Sequence, residues 1–342
     1  MSHSDFPAPA STDTSGPQPV PHRARSIALG IGLPLIIIAA TIALVLTWLP
    51  DLPQTVALHW GTKGVDRIGS INELLISNSI LIGIAVVVLF PMVLLLGRSA
   101  LTRRMFIGLS VGIITLFCGI LLTQLITQRG VSDPYAASDP GLGIALSMTI
   151  ALLLGIAAAL LGGADPAQPA RDPLPEGTSR LELASSARAT WVGEATMRRP
   201  WLLIVFSLIP VAIAAAIGFG TRQWWLLLPM VLLAALILGF LSFAVKIDAS
   251  GLTARNNLGL RVVRIPADEV VATSVTHVEP FAEFGGWGLR TNLAGTTGLV
   301  TRSGEAIRIE RTGNRNVVIT VDDATTAAAL LNTVAERARY ET

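Results

Sequence analysis

The sequence predicts an α-helical polytopic membrane protein with six transmembrane helices, followed by a mostly β C-terminal domain. Three observations carry that prediction. Of the 342 residues, 51% are hydrophobic and only 14% charged, with a mean hydropathy of +0.62, whereas soluble chains carry roughly 25% charged residues. Six uncharged apolar runs are each long enough to cross about 30 Å of hydrocarbon as a helix, which takes around 20 residues. After Lys246 the pattern changes to short alternating and β-branched runs, separated by Gly, Asn, Asp and Pro.

Charge and composition also exclude. The net charge is +2 and the pI of 9.1 comes almost wholly from Arg, since Lys63 and Lys246 are the only lysines. No large basic field is offered to nucleic acid. The single cysteine, Cys118, has no partner thiol, and the four histidines (His3, His22, His59, His277) lack ligand spacing. Neither a metal nor a cofactor is expected.

Residues 1–25 form a polar tail rich in Pro, Ser, Thr and Ala. Such a segment buries too little apolar surface to offset its ordering entropy, so disorder is expected. A cleaved signal peptide is not, because Ile27–Leu49 exceeds an h-region and no small-residue cleavage site follows it. Residues 26–97 then read as a span (Ile27–Leu49), a polar loop (Leu49–Ser70) and a second span (Leu74–Leu96). Residues 98–161 hold the third and fourth spans, Met105–Ile126 and Leu142–Leu161. Residues 162–199 are a linker. Its Pro-rich first half is expected to be extended, and its second half suits either a short interfacial helix or strands docked on the C-terminal domain. Residues 200–245 read as a tight hairpin of two spans, Trp201–Phe219 and Trp224–Val245. Residues 246–342 read as about seven strands closed by one amphipathic helix. Asp322-Asp323 supplies its N-cap, and Ala327, Leu330, Leu331, Val334 and Ala338 follow at helical spacing.

Orientation follows from Arg and Lys near the span ends. With the N-terminus in the cytoplasm, ten fall inside, including Arg23, Arg25, Arg98, Arg103, Arg104 and Arg188, and four outside: Lys63, Arg67, Arg129 and Arg222. Both termini are then cytoplasmic.

Little of the sequence suggests chemistry. No ionisable side chain lies deep in a span, where coupled transporters keep theirs. Thr41, Gln124, Ser147 and Thr149 suit interhelical hydrogen bonds, and Gly108 with Gly112 suits close helix packing. In the Leu49–Ser70 loop, His59 and Asp66 lack a recognisable nucleophile or oxyanion partner. Pro50 and Pro53 break the helix, Gly61 and Gly64 make turns, and Lys63, Asp66 and Arg67 pair locally.

The loop resembles a known family. The pattern P-D-x-P-x-x-V-x-x-H-W…G-x-V-D-R-x-G-S, carried by Pro50, Pro53, His59, Trp60, Gly64, Asp66, Gly69 and Ser70, is similar to the bacterial membrane module catalogued as domain of unknown function 1648. Gly61 stands where that family usually has Asn, and Ile71 where a Lys often follows. The resemblance spans about residues 27–96 and implies no known chemistry. An immunity and signalling membrane protein of the sporulation-delay toxin system contains the same module, which implies sensing or immunity roles by analogy.

The C-terminal segment resembles bacterial pleckstrin-homology-like domains, seven-stranded barrels capped by a helix. Phe284–Arg290, F-G-G-W-G-L-R, is similar to a motif of membrane-attached versions, and makes Phe284, Trp287 and Arg290 a candidate partner-binding loop. The glycines beside Trp287 leave either burial of the indole or contact with a partner or membrane; burial is the expectation. The basic cluster that eukaryotic relatives use for phosphoinositides is not visible here. Together these resemblances imply a bacterial inner-membrane protein that is not an enzyme. Its expected role is a sensor, regulator or immunity-type scaffold, with the bilayer and another membrane or cytoplasmic protein as partners. The alternatives are a transporter or channel subunit and, third, a membrane enzyme.

Overall fold

The computed structural model describes residues 21–61, 63–184, 187–197, 200–221, 223–292 and 294–340. The disorder expected of residues 1–20, and the side chains of Arg198, Arg199 and Arg222 used in the charge count, lie outside these. The polar tail ends earlier than expected, because Arg23–Arg25 are already helical.

The first apolar stretch is one helical rod, Arg23–Asp51. It consists of α1 (Arg23–Ile27), a wider turn at Ala28–Gly32, α2 (Leu33–Trp48) and a tight final turn at Leu49–Asp51. The wide turn has a local cause. Pro34 has no N–H to give to the carbonyl of Gly30, four residues back. Ser110 of the neighbouring rod donates to that carbonyl instead, at 2.7 Å.

Strands β1 (Thr55–Gly61) and β2 (Gly64–Ser70) follow as an antiparallel hairpin. Ser70 then caps α3 (Ile71–Leu95), accepting from the Glu73 N–H at 3.1 Å. Ser99 does the same for α4 (Ala100–Ile126), accepting from Thr102 N–H at 3.2 Å. Helix α5 (Gly141–Leu161) completes the compact group, with α4 at its centre against α2, α3 and α5. The contact of α4 with α5 is glycine-mediated, as the Gly108–Gly112 pair suggested. A Cβ on Gly155 would lie 2.8 Å from the Gly108 carbonyl oxygen, and one on Gly119 would lie 2.7 Å from Ser147 Oγ. Absent side chains let the backbones meet, which is how helices gain dispersion contact in a medium as apolar as themselves.

Strand β3 (Trp191–Thr196) comes next, then α6 (Pro200–Thr221) and α7 (Leu227–Leu238), which pack on each other. Among the described residues five helices are long and apolar enough to cross a membrane, and the sixth apolar run is not one of them. Its helical part, Trp224–Leu238, is shorter. At 1.5 Å per residue it rises only about 22 Å, against roughly 30 Å of hydrocarbon. The rest of the run turns at Gly239 and enters β4 (Ser242–Asp248). Phe243, Val245 and Ile247 are fully buried, while Ala244 and Lys246 between them are exposed. That period of two is a strand feeding a β core, not a span.

The β domain therefore starts before Lys246 and recruits β3 from the linker. Of the two alternatives for the linker's second half, the docked strand is found. Antiparallel order β3-β4-β5-β6 makes the first sheet, with β5 (Gly251–Asn256) and β6 (Arg261–Pro266). The second sheet runs β7-β10-β11-β9-β8. Its members are β7 (Val270–Val278), β8 (Gly288–Thr291), β9 (Thr297–Val300), β10 (Gly304–Arg311) and β11 (Val317–Thr320), and β11 lies parallel to β9. A short helix, α8 (Pro280–Phe284), joins β7 to β8. The count is thus eight strands after the helices plus β3, rather than about seven. Helix α9 (Ala324–Tyr340) closes the core with Leu330, Leu331 and Val334, as expected, and Asp323 accepts from Thr326 N–H at 3.1 Å at its start. The linker crosses α9 as an extended strap. Leu181 N–H bonds Thr333 Oγ1, Asn332 bonds the Ser179 carbonyl, and Arg337 bonds the carbonyls of Leu183, Ala184 and Ala187.

Candidate functional site

Both ends of α4 carry a polar clamp, and the loop singled out in the sequence is held by one of them. Beyond the turn containing Pro50, Leu52 and Val56 bury themselves with Val45, Ile71, Leu74, Leu121 and Leu125. Pro53 lies between those two anchors. This roots the β1–β2 hairpin in the helices. Gln128, 1% exposed just past the end of α4, then acts as a surrogate strand. Its Oε1 accepts from Ala57 N–H at 2.5 Å and its Nε2 donates to Ala57 O at 3.1 Å. An amide side chain reproduces both hydrogen bonds of a peptide unit, and so satisfies a backbone pair that is otherwise buried without a partner. Asp51 adds an ion pair with Arg129 at 2.7 Å, and the Arg129 guanidinium lies 5.1 Å over the Trp48 ring.

The motif residues have mainly structural placements. His59 Nδ1 meets Asp66 Oδ1 at 2.6 Å across the hairpin, with both side chains more than half exposed. Gly64 has φ +108°, a turn conformation that side chains avoid. Gly69 leaves room for Leu58 and Glu73, both of which a Cβ would strike. Arg67 pairs with Glu73 rather than with Asp66. Trp60 is half-buried and its Nε1 has no hydrogen-bond partner among the described residues. An exposed imidazole–carboxylate pair with no nucleophile aligned to it can hold a turn or contact a ligand. Among the described residues no three His, Cys, Asp or Glu side chains group as metal ligands.

The opposite end of α4 carries residues that sequence reasoning read only as topology markers. Arg103 is 1% exposed. Its guanidinium donates to the carbonyls of Gly97, Gly162, Gly163 and Ala164 at 2.8–3.2 Å. Asp165 follows, with one oxygen 3.7 Å from Arg103 and the other 3.7 Å from Arg315. Arg315 and Arg311 both reach Glu269, at 3.1 and 2.6 Å, and all three are buried in the β domain. Burial pushes the Arg315 guanidinium below its ordinary value, and Arg311 adds to that, but Glu269 and Asp165 oppose the shift. Backbone contacts fasten the same stretch. Gln168 N–H bonds Glu269 Oε1, Thr312 Oγ1 bonds the Gln168 carbonyl, and Thr102 Oγ1 lies 3.0 Å from Thr291 Oγ1. The available sequence signal was an Arg pair opening a span opposite a Gly-Gly-Ala-Asp stretch closing another.

The third candidate, Phe284–Arg290, splits into two roles. Phe284 is 7% exposed and packs with Val278, Val300, Ala306 and Val318. Trp287 is 39% exposed, so the expected burial of its indole is overturned. Positive φ values at Gly285, Gly286 and Gly288 turn the chain outward, and the indole packs edge-on to exposed Phe281 at 4.8 Å. Arg290 is exposed and donates to the Trp287 carbonyl at 3.1 Å. Phe281 was missed because it precedes the recognisable motif.

Comparison of the chain with family models, with curated proteins and with solved structures returned no match.

Proposed function

We propose that this chain is a non-enzymatic sensor or regulatory scaffold of a bacterial inner membrane, of the immunity type, in which α4 couples an extracytoplasmic hairpin to a cytoplasmic PH-like domain. One observation carries this reading: Gln128, just past one end of α4, holds the hairpin, while at the other end Thr102 meets Thr291 of β8 and Arg103 grips the linker carbonyls that lead through Asp165 to Arg315. A load on β1 has a route through the packed helix, the linker carbonyls and the Asp165 ion pairs to Arg315, two residues before β11. The PH-like assignment is supported by a four-stranded antiparallel sheet, a second sheet and a C-terminal helix covering the core. The resemblance of the hairpin to domain of unknown function 1648 is supported by the turn, cap and close-contact placements of Gly64, Ser70 and Gly69. Both termini are taken as cytoplasmic from the Arg distribution. The short Trp224–Leu238 helix then returns the chain as a sixth, thinner crossing, which a locally thinned bilayer accommodates at modest cost. Phe281 and Trp287 are the surface offered to a protein partner.

A transporter or channel subunit is the second reading. It is favoured by the half-buried hydrogen bond from Asn78 Nδ2 to Gln124 Oε1 at 3.3 Å, a polar pair between α3 and α4. The deciding experiment works in a Cys118→Ala background. An impermeant thiol reagent should modify Lys63→Cys in intact cells and Arg188→Cys only after permeabilisation. A co-purifying partner should be lost on Trp287→Ala with thermal stability retained. Labelling of position 188 but not 63, or substrate flux in proteoliposomes with no partner, would replace this reading.

A further inference from the structure

We propose that His22, Arg25 and Arg104 form a binding site for the phosphate of an anionic phospholipid, at the end of the helical bundle nearest the β domain. The three side chains come from the residue preceding α1, from α1 itself and from α4, and converge on one glycine of the linker. A Cβ placed on Gly163 would lie 3.2 Å from His22 Cδ2 and 3.3 Å from Arg25 Nη1. Arg104 Nε donates to the Gly163 carbonyl at 3.1 Å, and His22 Nε2 lies 3.0 Å from the Ala164 carbonyl. The glycine, at φ +83°, has no side chain, which lets His22 and Arg25 close directly over its backbone.

The charge in this corner is not balanced. Arg103, Arg311 and Arg315 share Asp165 and Glu269, so three guanidiniums face two carboxylates. Arg25 and Arg104 add two more cations, and neither makes an ion pair among the described residues. A single monoanion with several acceptor oxygens matches these two cations in charge, and guanidinium forks bind phosphate through paired hydrogen bonds.

The position selects the source of the phosphate. Arg25 and Arg104 stand in the opening turns of two helices apolar enough to cross a membrane, which is the level of lipid headgroups. Basic pockets between such helices bind anionic headgroups. Ile27 on one side and Leu160 and Leu161 on the other expose apolar surface just below, where acyl chains run. The site rests on the reading that α1–α2 and α4 cross a bilayer, and is independent of any signalling role.

The test uses the full chain in nanodiscs of phosphatidylcholine, with and without phosphatidylglycerol, read by thermal unfolding and by lipid retention in native mass spectrometry. Phosphatidylglycerol should raise the unfolding temperature and remain bound. Arg25→Gln should cut that shift by half or more. The Arg25 guanidinium makes no hydrogen bond among the described residues, so its loss leaves the protein's own contacts intact. Arg104→Gln should behave alike. Arg23→Gln, two residues away on the other side of the helix, should keep the shift. An undiminished shift in Arg25→Gln overturns the site, and equal losses in Arg23→Gln and Arg25→Gln reduce it to general surface attraction. An equal shift from inorganic phosphate in phosphatidylcholine alone makes a soluble anion the occupant and overturns the lipid. A chain that stays soluble without detergent or lipid overturns the membrane reading beneath it.

Discussion

Gln128 is the residue on which the β1–β2 hairpin turns. Its amide occupies both hydrogen-bonding groups of the Ala57 peptide, and Ala57 is fully buried. Gln128→Leu keeps the volume and removes both partners. Each buried backbone group left unpaired costs about 1–3 kcal/mol, so the variant, which orphans two, should lose roughly 2–6 kcal/mol of stability. The hairpin should become protease-sensitive, and Gln128→Glu, which restores only the acceptor, should fall between. By contrast, His59→Ala and Asp66→Ala remove an exposed pair, of a kind worth at most about 1 kcal/mol. Equal stability loss in Gln128→Leu and His59→Ala would show that the hairpin is held from its own strands and not from α4.

Elements were legible where composition and geometry point the same way. The long apolar runs of α2 to α6 could be read because nothing but a helix satisfies every backbone group of such a run within itself. The sixth run misled because Phe243 and Val245 are as apolar as span residues, yet face a β core at alternate positions. Strand β3 was ambiguous because only Trp191, Gly193 and Ala195 face inward, too few for a clear period. The His59–Asp66 pair was not read: the sequence suggested that Asp66 pairs with Lys63 and Arg67, and only the hairpin register around the Gly61–Gly64 turn brings His59 to it. The Arg103–Asp165–Arg315 chain was not, because pattern reading does not link charges so distant in sequence. The misplaced boundary has a measurable consequence. A fragment starting at Lys246 cuts β4 in half and removes both β3 and the strap over α9, exposing an unpaired strand edge. It should aggregate, whereas a fragment starting at Arg171 and omitting Pro200–Gly239 through a short flexible joint should be soluble and β-rich. Leu331→Ala in that fragment removes a fully buried side chain and should cost about 2–5 kcal/mol. A soluble, cooperatively unfolding fragment from Lys246 would mean that β3 is dispensable.

At the scale of the whole molecule, α4 is a rod of 27 residues, about 40 Å long, with one clamp at each end. Asp165 is the joint between that rod and the β domain, since it stands between Arg103 and Arg315 without a hydrogen bond to its Oδ1. At 3.7 Å the attraction to each guanidinium is up to about 4 kcal/mol at an effective dielectric of 20, and the desolvation of the three groups takes back much of it. Asp165→Asn keeps the shape and removes the charge. Arg103 retains its carbonyls and Arg315 retains Glu269, so neither half should unfold. The loss should be about 1–3 kcal/mol and confined to their junction. A double-mutant cycle with Arg315→Gln should give a coupling of roughly 0.5–3 kcal/mol, as for residues sharing one network. Protease should then cut the linker at 163–170, while Gln128 still shields the hairpin. The two clamps are thereby separable: Gln128→Leu frees the hairpin end alone, and Asp165→Asn the β-domain end alone. If Asp165→Asn left linker protection and stability unchanged, the backbone contacts of Gln168 and Thr312 would suffice to hold the halves together, and α4 would carry no electrostatic link between them.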